Sequence, residues 1–124
     1  MQNRQNKIWN NSGIKIAVLG ATGFIGSYIL DSLIEKGFGP SVLVREGSED
    51  KLSQSEKCRI VTGDIQDEQA IHETINGTDC IIFNIGIIRQ FPHQRITFDE
   101  LHLQSAKRTI DIALQLNIKR FILM

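Results

Sequence analysis

The chain has no charge bias. Fourteen Lys and Arg balance fourteen Asp and Glu over 124 residues, for a net charge of zero. No basic stripe argues for a nucleic-acid partner, and no acidic tail is present. Cysteine is scarce. Cys58 and Cys80 are the two, at neither metal nor redox spacing, and each lies in an apolar, strand-like run. They read as reduced, buried small residues of a cytosolic protein. The three histidines, His72, His93 and His102, show no metal-ligand spacing with a Glu or Cys. Long apolar runs are missing too. The longest falls far short of the ~20 residues of a membrane span. Met1 to Gly13 is a polar stretch without the apolar core of a signal peptide. There is no low-complexity segment and no short tandem repeat. These absences lead to the expectation of a cytoplasmic chain without metal site, membrane span or nucleic-acid partner.

What remains is an ordinary globular composition, 41% hydrophobic and 23% charged. The length suits one domain with a real core. The expected organisation is a polar N-terminal arm over residues 1–13 and a folded domain over 14–124. Trp9 is the one residue equipped to staple the arm to the body.

The stretch that organises the domain is Gly20-Ala21-Thr22-Gly23-Phe24-Ile25-Gly26. It follows the β-branched-rich run Ile14–Leu19 and precedes a helical pattern with Phe24, Ile25, Tyr28, Ile29, Leu33 and Ile34 on its apolar face. Gly37 supplies the left-handed residue after that helix. Strand, glycine turn and helix in this order place backbone N–H groups and the positive end of a helix against an anion. In such a turn Gly20 permits the bend, Gly23 lets backbone approach phosphate, and Gly26 lets the helix pack on the strand. Thr22 adds a hydroxyl donor. The anion proposed is a dinucleotide pyrophosphate.

Downstream, strands are expected at 42–44, 59–62, 80–84 and from 120. Ser48 is expected to cap a brief helix over 49–52. Asp67 caps the next helix, which turns Ala70, Ile71 and Ile75 inward. A loop over 87–96 precedes a long helix capped by Thr97. The inward face of that helix is Phe98, Leu101, Ser105, Ala106, Ile110, Ala113 and Leu116. Alternating strands and helices with short connections imply an α/β fold with a parallel sheet.

Strand ends carry the remaining site residues. Arg45 lies nineteen residues past Gly26, where an acidic residue would take a ribose 2′-hydroxyl and an arginine a 2′-phosphate. Glu46 follows, so the choice leans to NADP with NAD as the alternative. Asp64, after the third strand, either accepts from the adenine amino group, with Ile65 lining the ring, or forms an Asx turn. Asn84, Ile85 and Gly86 end the fourth strand beside the topological switch point, where Gly86 would let the cofactor ribose lie close to backbone.

These residues resemble the N-terminal half of an extended or atypical short-chain dehydrogenase/reductase, a family that includes NAD-dependent epimerases and dehydratases. The matching pieces are AVLGATGFIG (17–26), LVRE (43–46), VTGDIQD (61–67), DCIIFNIG (79–86) and the last helix with KRFILM. The resemblance covers Gly13 to Met124. It is nearest to the NAD(P)H-binding branch of complex I accessory subunits, to which the stretch IIRQFPHQRITFDELH (87–102) also points. It implies a Rossmann-type sheet of order 3-2-1-4-5, with Gly20, Thr22, Gly23, Phe24, Ile25, Arg45, Asp64, Ile65 and Gly86 around NADP(H). Extended members carry Asn and Gly-Thr positions in the long helix. His102 and Ser105-Ala106 depart from that pattern and fit the atypical branch.

One absence limits the activity. Catalytic members of the family use a Tyr followed four residues later by Lys, beyond the fifth strand. The single Tyr here, Tyr28, is followed by Ser32. The chain therefore reads as a cofactor-binding part, truncated after its fifth strand, of an oxidoreductase or epimerase. The alternative is a non-catalytic accessory, assembly or redox-sensing module. Either way, the apolar fifth strand is expected to leave an edge for a protein partner or self-association.

Overall fold

A computed structural model describes residues 13–85 and 103–124. The N-terminal arm with Trp9, Gly86, the 87–96 loop, and Thr97, Phe98, Leu101 and His102 lie outside the described residues.

Five short strands form one sheet: β1 (Ile16–Leu19), β2 (Ser41–Val44), β3 (Arg59–Thr62), β4 (Cys80–Phe83) and β5 (Arg120–Leu123). Their order is β3-β2-β1-β4-β5 and every pairing is parallel, as expected. The register sets Leu19 beside Leu43 and Phe83, Val44 beside Thr62, and Phe83 beside Leu123, so the carboxyl ends of the strands stand level. Three helices connect them: α1 (Phe24–Glu35), α2 (Glu68–Ile75) and α3 (Ser105–Gln115).

Alternation along the strands divides the core between the two sheet faces. Ala17, Leu19, Leu43, Val61, Ile81 and Phe83 pack with residues of α2 and α3. Val18, Val42 and Val44 pack with Leu30 and Ile34 of α1 and with Leu52 and Cys58. Cys58 and Cys80 are buried free thiols, as expected. Burial pushes the Cys58 thiol up to about 11, with Glu56 and Asp31 adding to the effect. Cys80 is shifted in the same direction, again chiefly by burial.

Helix ends follow local chemistry. Gly37 has φ +92°, and the Gly37 and Phe38 N–H groups donate to Ile34 O and Leu33 O, both at 3.0 Å, closing α1 as a Schellman motif. Asp67 caps α2 as expected, its Oδ1 accepting from Gln69 N at 3.0 Å and Ala70 N at 3.4 Å.

The structure corrects three details. The brief helix after β2 is a single 3₁₀ turn, Glu49–Lys51, and the Ser48 side chain does not cap it. In α3 the buried residues are Ser105, Ala106, Thr109, Ile112 and Ala113, which leaves Ile110 37% exposed. In α1 the buried face is Gly26, Leu30 and Ile34, while Phe24, Ile25 and Tyr28 are exposed. The cause of the last is steric. Gly26 must face the turn that precedes it, and that contact sets the rotation of the whole helix.

Candidate functional site

The glycine turn is held from both sides. Gly20 has φ +100°, a conformation L-residues with a Cβ rarely adopt. A Cβ there would overlap the Asn84 carbonyl oxygen and come within 2.7 Å of its carbon. A Cβ on Gly26 would overlap the Gly20 carbonyl oxygen and lie 2.9 Å from its carbon. Backbone therefore packs on backbone at both positions, and both glycines are demanded by the fold itself. The Asn84 N–H donates to Leu19 O at 2.8 Å, tying the end of β4 to the end of β1. This is the switch point of the sheet, since β1 lies between β2 and β4.

Gly23 differs. Its backbone is extended, φ −78° and ψ 178°, and it is exposed. A Cβ there would find its nearest atom, Gly20 O, only at 3.9 Å. Nothing in the packing of the protein requires glycine at this position. Gly23 is also the N-cap of α1. Among the described residues no side chain caps that end, and its first turn has no acidic residue. At α2 the same position carries Asp67, with Glu68 in the first turn. One βα turn is thus neutralised by the protein's own carboxylates, whereas the other presents an open, positively polarised helix end. An open cradle with exposed backbone N–H groups fits a diphosphate and suits no metal cation. Among the described residues there is no group of three or more metal-ligating side chains.

The remaining predicted residues line the same carboxyl edge. Thr22 lies in the glycine turn, partly exposed. Phe24 and Ile25 open α1, 76% and 50% exposed, and the Phe24 ring packs edge-on against Tyr28 at 5.3 Å. Arg45 is exposed directly after β2, and its carbonyl accepts from Ser48 N at 2.9 Å in the turn that follows. Asp64 is exposed after β3. Its Oδ1 accepts from Gln66 N at 2.8 Å, so the Asx turn is present and engages one carboxylate oxygen. Ile65 departs from expectation. Its side chain is 6% exposed and belongs to the core, so the surface it offers a ligand at this edge is backbone. Asn84 and Ile85 follow β4, with Ile85 packed partly against the core. Gly86 is outside the described residues. The structure brings Gly20, Thr22, Gly23, Phe24, Ile25, Gly26, Arg45, Asp64, Asn84 and Ile85 to one edge of the sheet.

Two contributors escape sequence reasoning. A Cβ on Gly63 would come within 2.5 Å of Ala70 Cβ, so this glycine sets how closely α2 approaches the end of β3. Arg108 reaches from α3 to Ile65 O at 3.3 Å. A glycine between a strand and Asp64 signals the first. A single arginine on a helix face carries no signal of the second.

Residues 20–124 match the model of a family described as NAD(P)H-binding. Cinnamoyl-CoA reductase 1 of Petunia hybrida is 28% identical over 118 residues, 90% of this chain and 34% of that protein. The mitochondrial NADH-ubiquinone oxidoreductase 40 kDa subunit of Neurospora crassa is 25% identical over 114 residues, 89% of this chain and 30% of that protein. The chain spans about a third of the length of these curated relatives. Among solved structures, the UDP-glucose 4-epimerase of Thermotoga maritima superposes with a TM-score of 0.73 at 20% identity, over 89% of this chain and 37% of that one. A short-chain dehydrogenase/reductase superfamily protein of Agrobacterium tumefaciens with bound NAD superposes with a TM-score of 0.67 at 22% identity, over 88% and 31%. This chain therefore belongs to the NAD(P)H-binding family, and it shares the Rossmann fold of those two solved structures.

Proposed function

We propose that this chain binds NADP(H) in preference to NAD(H), with the pyrophosphate on the N-terminus of α1. The observation that carries the reading is the contrast between the two helix starts. Asp67 closes α2, while Gly23 leaves α1 uncapped and sterically open. Around that cradle, Arg45 would take the 2′-phosphate at the end of β2, and Asp64 the adenine amino group. Ile65 would offer its backbone, and Asn84, Ile85 and Gly86 would line the path toward the nicotinamide ribose. The bound cofactor supplies hydride exchange. The residues named here would bind and orient it.

The similarity to the mitochondrial NADH-ubiquinone oxidoreductase 40 kDa subunit favours a second reading, in which the chain is a non-catalytic cofactor-binding accessory, assembly or redox-sensing module. It stands beside the first, in which the domain serves a reductase or epimerase. In both, β5 offers a surface for further polypeptide. It pairs with β4, and Ile122, Leu123 and Met124 are 41%, 52% and 56% exposed. The proposed occupant is a second polypeptide strand. The two buried, unpaired thiols support a reducing compartment such as the cytoplasm. Among the described residues no helix is long and apolar enough to cross a membrane.

The test is ligand-induced stabilisation. NADPH raises Tm more than NADH, and Arg45→Ala removes the difference. Equal shifts in the unmutated protein defeat the Arg45 assignment, and no shift with either nucleotide defeats the binding reading.

A further inference from the structure

The turn that carries Asp64 is held at three points. Asp67 N donates to Asp64 O at 2.9 Å, and Gln66 N donates to Asp64 Oδ1 at 2.8 Å. These two bonds are internal to the turn. The third comes from another element. Arg108 Nη1, on α3, donates to Ile65 O at 3.3 Å, across forty-three residues of sequence. Arg108 is half-buried, and the neighbouring Ile112 and Thr109 are buried, so its stem rises from the anchored face of α3. A guanidinium so placed offers a charge-assisted bond to a carbonyl that no backbone partner from the sheet reaches. The Ile65 side chain is seated in the core beneath. Asp64, one residue earlier, is exposed and points its remaining capacity outward from this turn.

We propose that Arg108 is a positioning residue for the adenosine half of the dinucleotide. By holding the Ile65 carbonyl it fixes the backbone on which Asp64 stands, and so couples α3 to adenine binding. This rests on the dinucleotide reading above. A fixed carboxylate forms its bond to the adenine amino group without first ordering the turn, and that saving appears as affinity.

The experiment is a double-mutant cycle read by calorimetry with NADPH and with ADP, which keeps the adenosine and the diphosphate and lacks the nicotinamide half. Arg108→Met keeps the stem and removes every donor. It should weaken both ligands about tenfold, in the range of one lost charge-assisted bond. Arg108→Lys retains a donor and should recover most of that loss. In an Asp64→Ala background, Arg108→Met should change affinity by less than about twofold, because residues acting through one contact are not additive. Unchanged affinity in Arg108→Met overturns the proposal, as does an equal loss with and without Asp64. If the unmutated chain binds neither ligand, the dinucleotide reading falls and takes this one with it. Binding with an additive cycle removes this one alone. Should Arg108→Met not fold, Arg108→Gln replaces it, with at least a threefold loss expected and no loss counting against the proposal.

Discussion

Gly23→Val separates a glycine required by the fold from one kept free for a ligand. The backbone at Gly23 is extended and suits any residue, and the nearest atom to an added Cβ is 3.9 Å away. The expected structural cost is only that of a poorer N-cap, ~1 kcal/mol. For a domain of this size that lowers Tm by about 4 °C. Gly26→Ala is the internal control. Its Cβ would overlap the Gly20 carbonyl, and the overlap is with backbone that β4 also braces through Asn84. Overpacking of that kind costs about 3 kcal/mol, or about 12 °C in Tm, roughly three times the cost at Gly23. Binding should reverse the order of severity. With NADPH at 100 times its Kd, the unmutated chain gains ~2.7 kcal/mol, or about 10 °C in Tm. If the valine side chain fills the diphosphate site and raises Kd about 100-fold, the same NADPH concentration adds only ~0.4 kcal/mol, or about 2 °C. Differential scanning calorimetry with and without NADPH reads both effects. A Gly23→Val protein that keeps the full NADPH shift would refute the placement of the phosphates. One that unfolds like Gly26→Ala would refute the claim that this glycine is structurally optional.

Cys58 makes a pH prediction. Its folded-state thiol is raised from 9.0 to about 11, so between those values the folded chain holds a proton that the unfolded chain releases. Stability contributed by this group is intact below pH 9 and declines as pH rises toward 11. Urea melts across that window should show a steeper decline for the unmutated chain than for Cys58→Val, and parallel curves would contradict it. At the β5 edge, concentration-dependent self-association should appear in light scattering and weaken in Ile122→Lys. A chain that stays monomeric at all concentrations would leave the edge proposal without support.

Sheet order and the main site positions were legible because they rest on short-range rules. β-branched runs mark the strands, and Arg45 and Asn84 directly follow two of them while Asp64 follows a third after Gly63. Parallel pairing then brings separate strand ends to one edge without any further information. The rotation of α1 was not legible. Phe24, Ile25 and Tyr28 have the right spacing for a buried face, but the face is chosen by the approach of Gly26 to Gly20, a contact in which no side chain takes part. A hydrophobic-periodicity argument has no term for a missing Cβ. The burial of Ile65 and the reach of Arg108 escaped for a related reason. Both depend on how α3 sits against the β3–α2 turn, a contact between residues forty-three apart.

The asymmetry between the two helix starts links the fold to the site. Both α1 and α2 begin at the carboxyl edge of the same sheet, and both leave N–H groups that need an acceptor. At α2 the chain supplies one in Asp67 Oδ1. At α1 none of the described residues supplies one, and the position where a capping side chain would stand is glycine with free space around it. If stability alone had shaped this turn, Ser or Asp at position 23 would add a few tenths of a kcal/mol at no steric cost. An external anion in that space would supply the acceptor that the chain leaves out. Gly23→Asp tests the inference directly: it should raise Tm of the free chain through capping while the new carboxylate repels diphosphate. A Gly23→Asp protein that is no more stable than the parent, or that binds NADPH as well, would show that the open end of α1 has another cause.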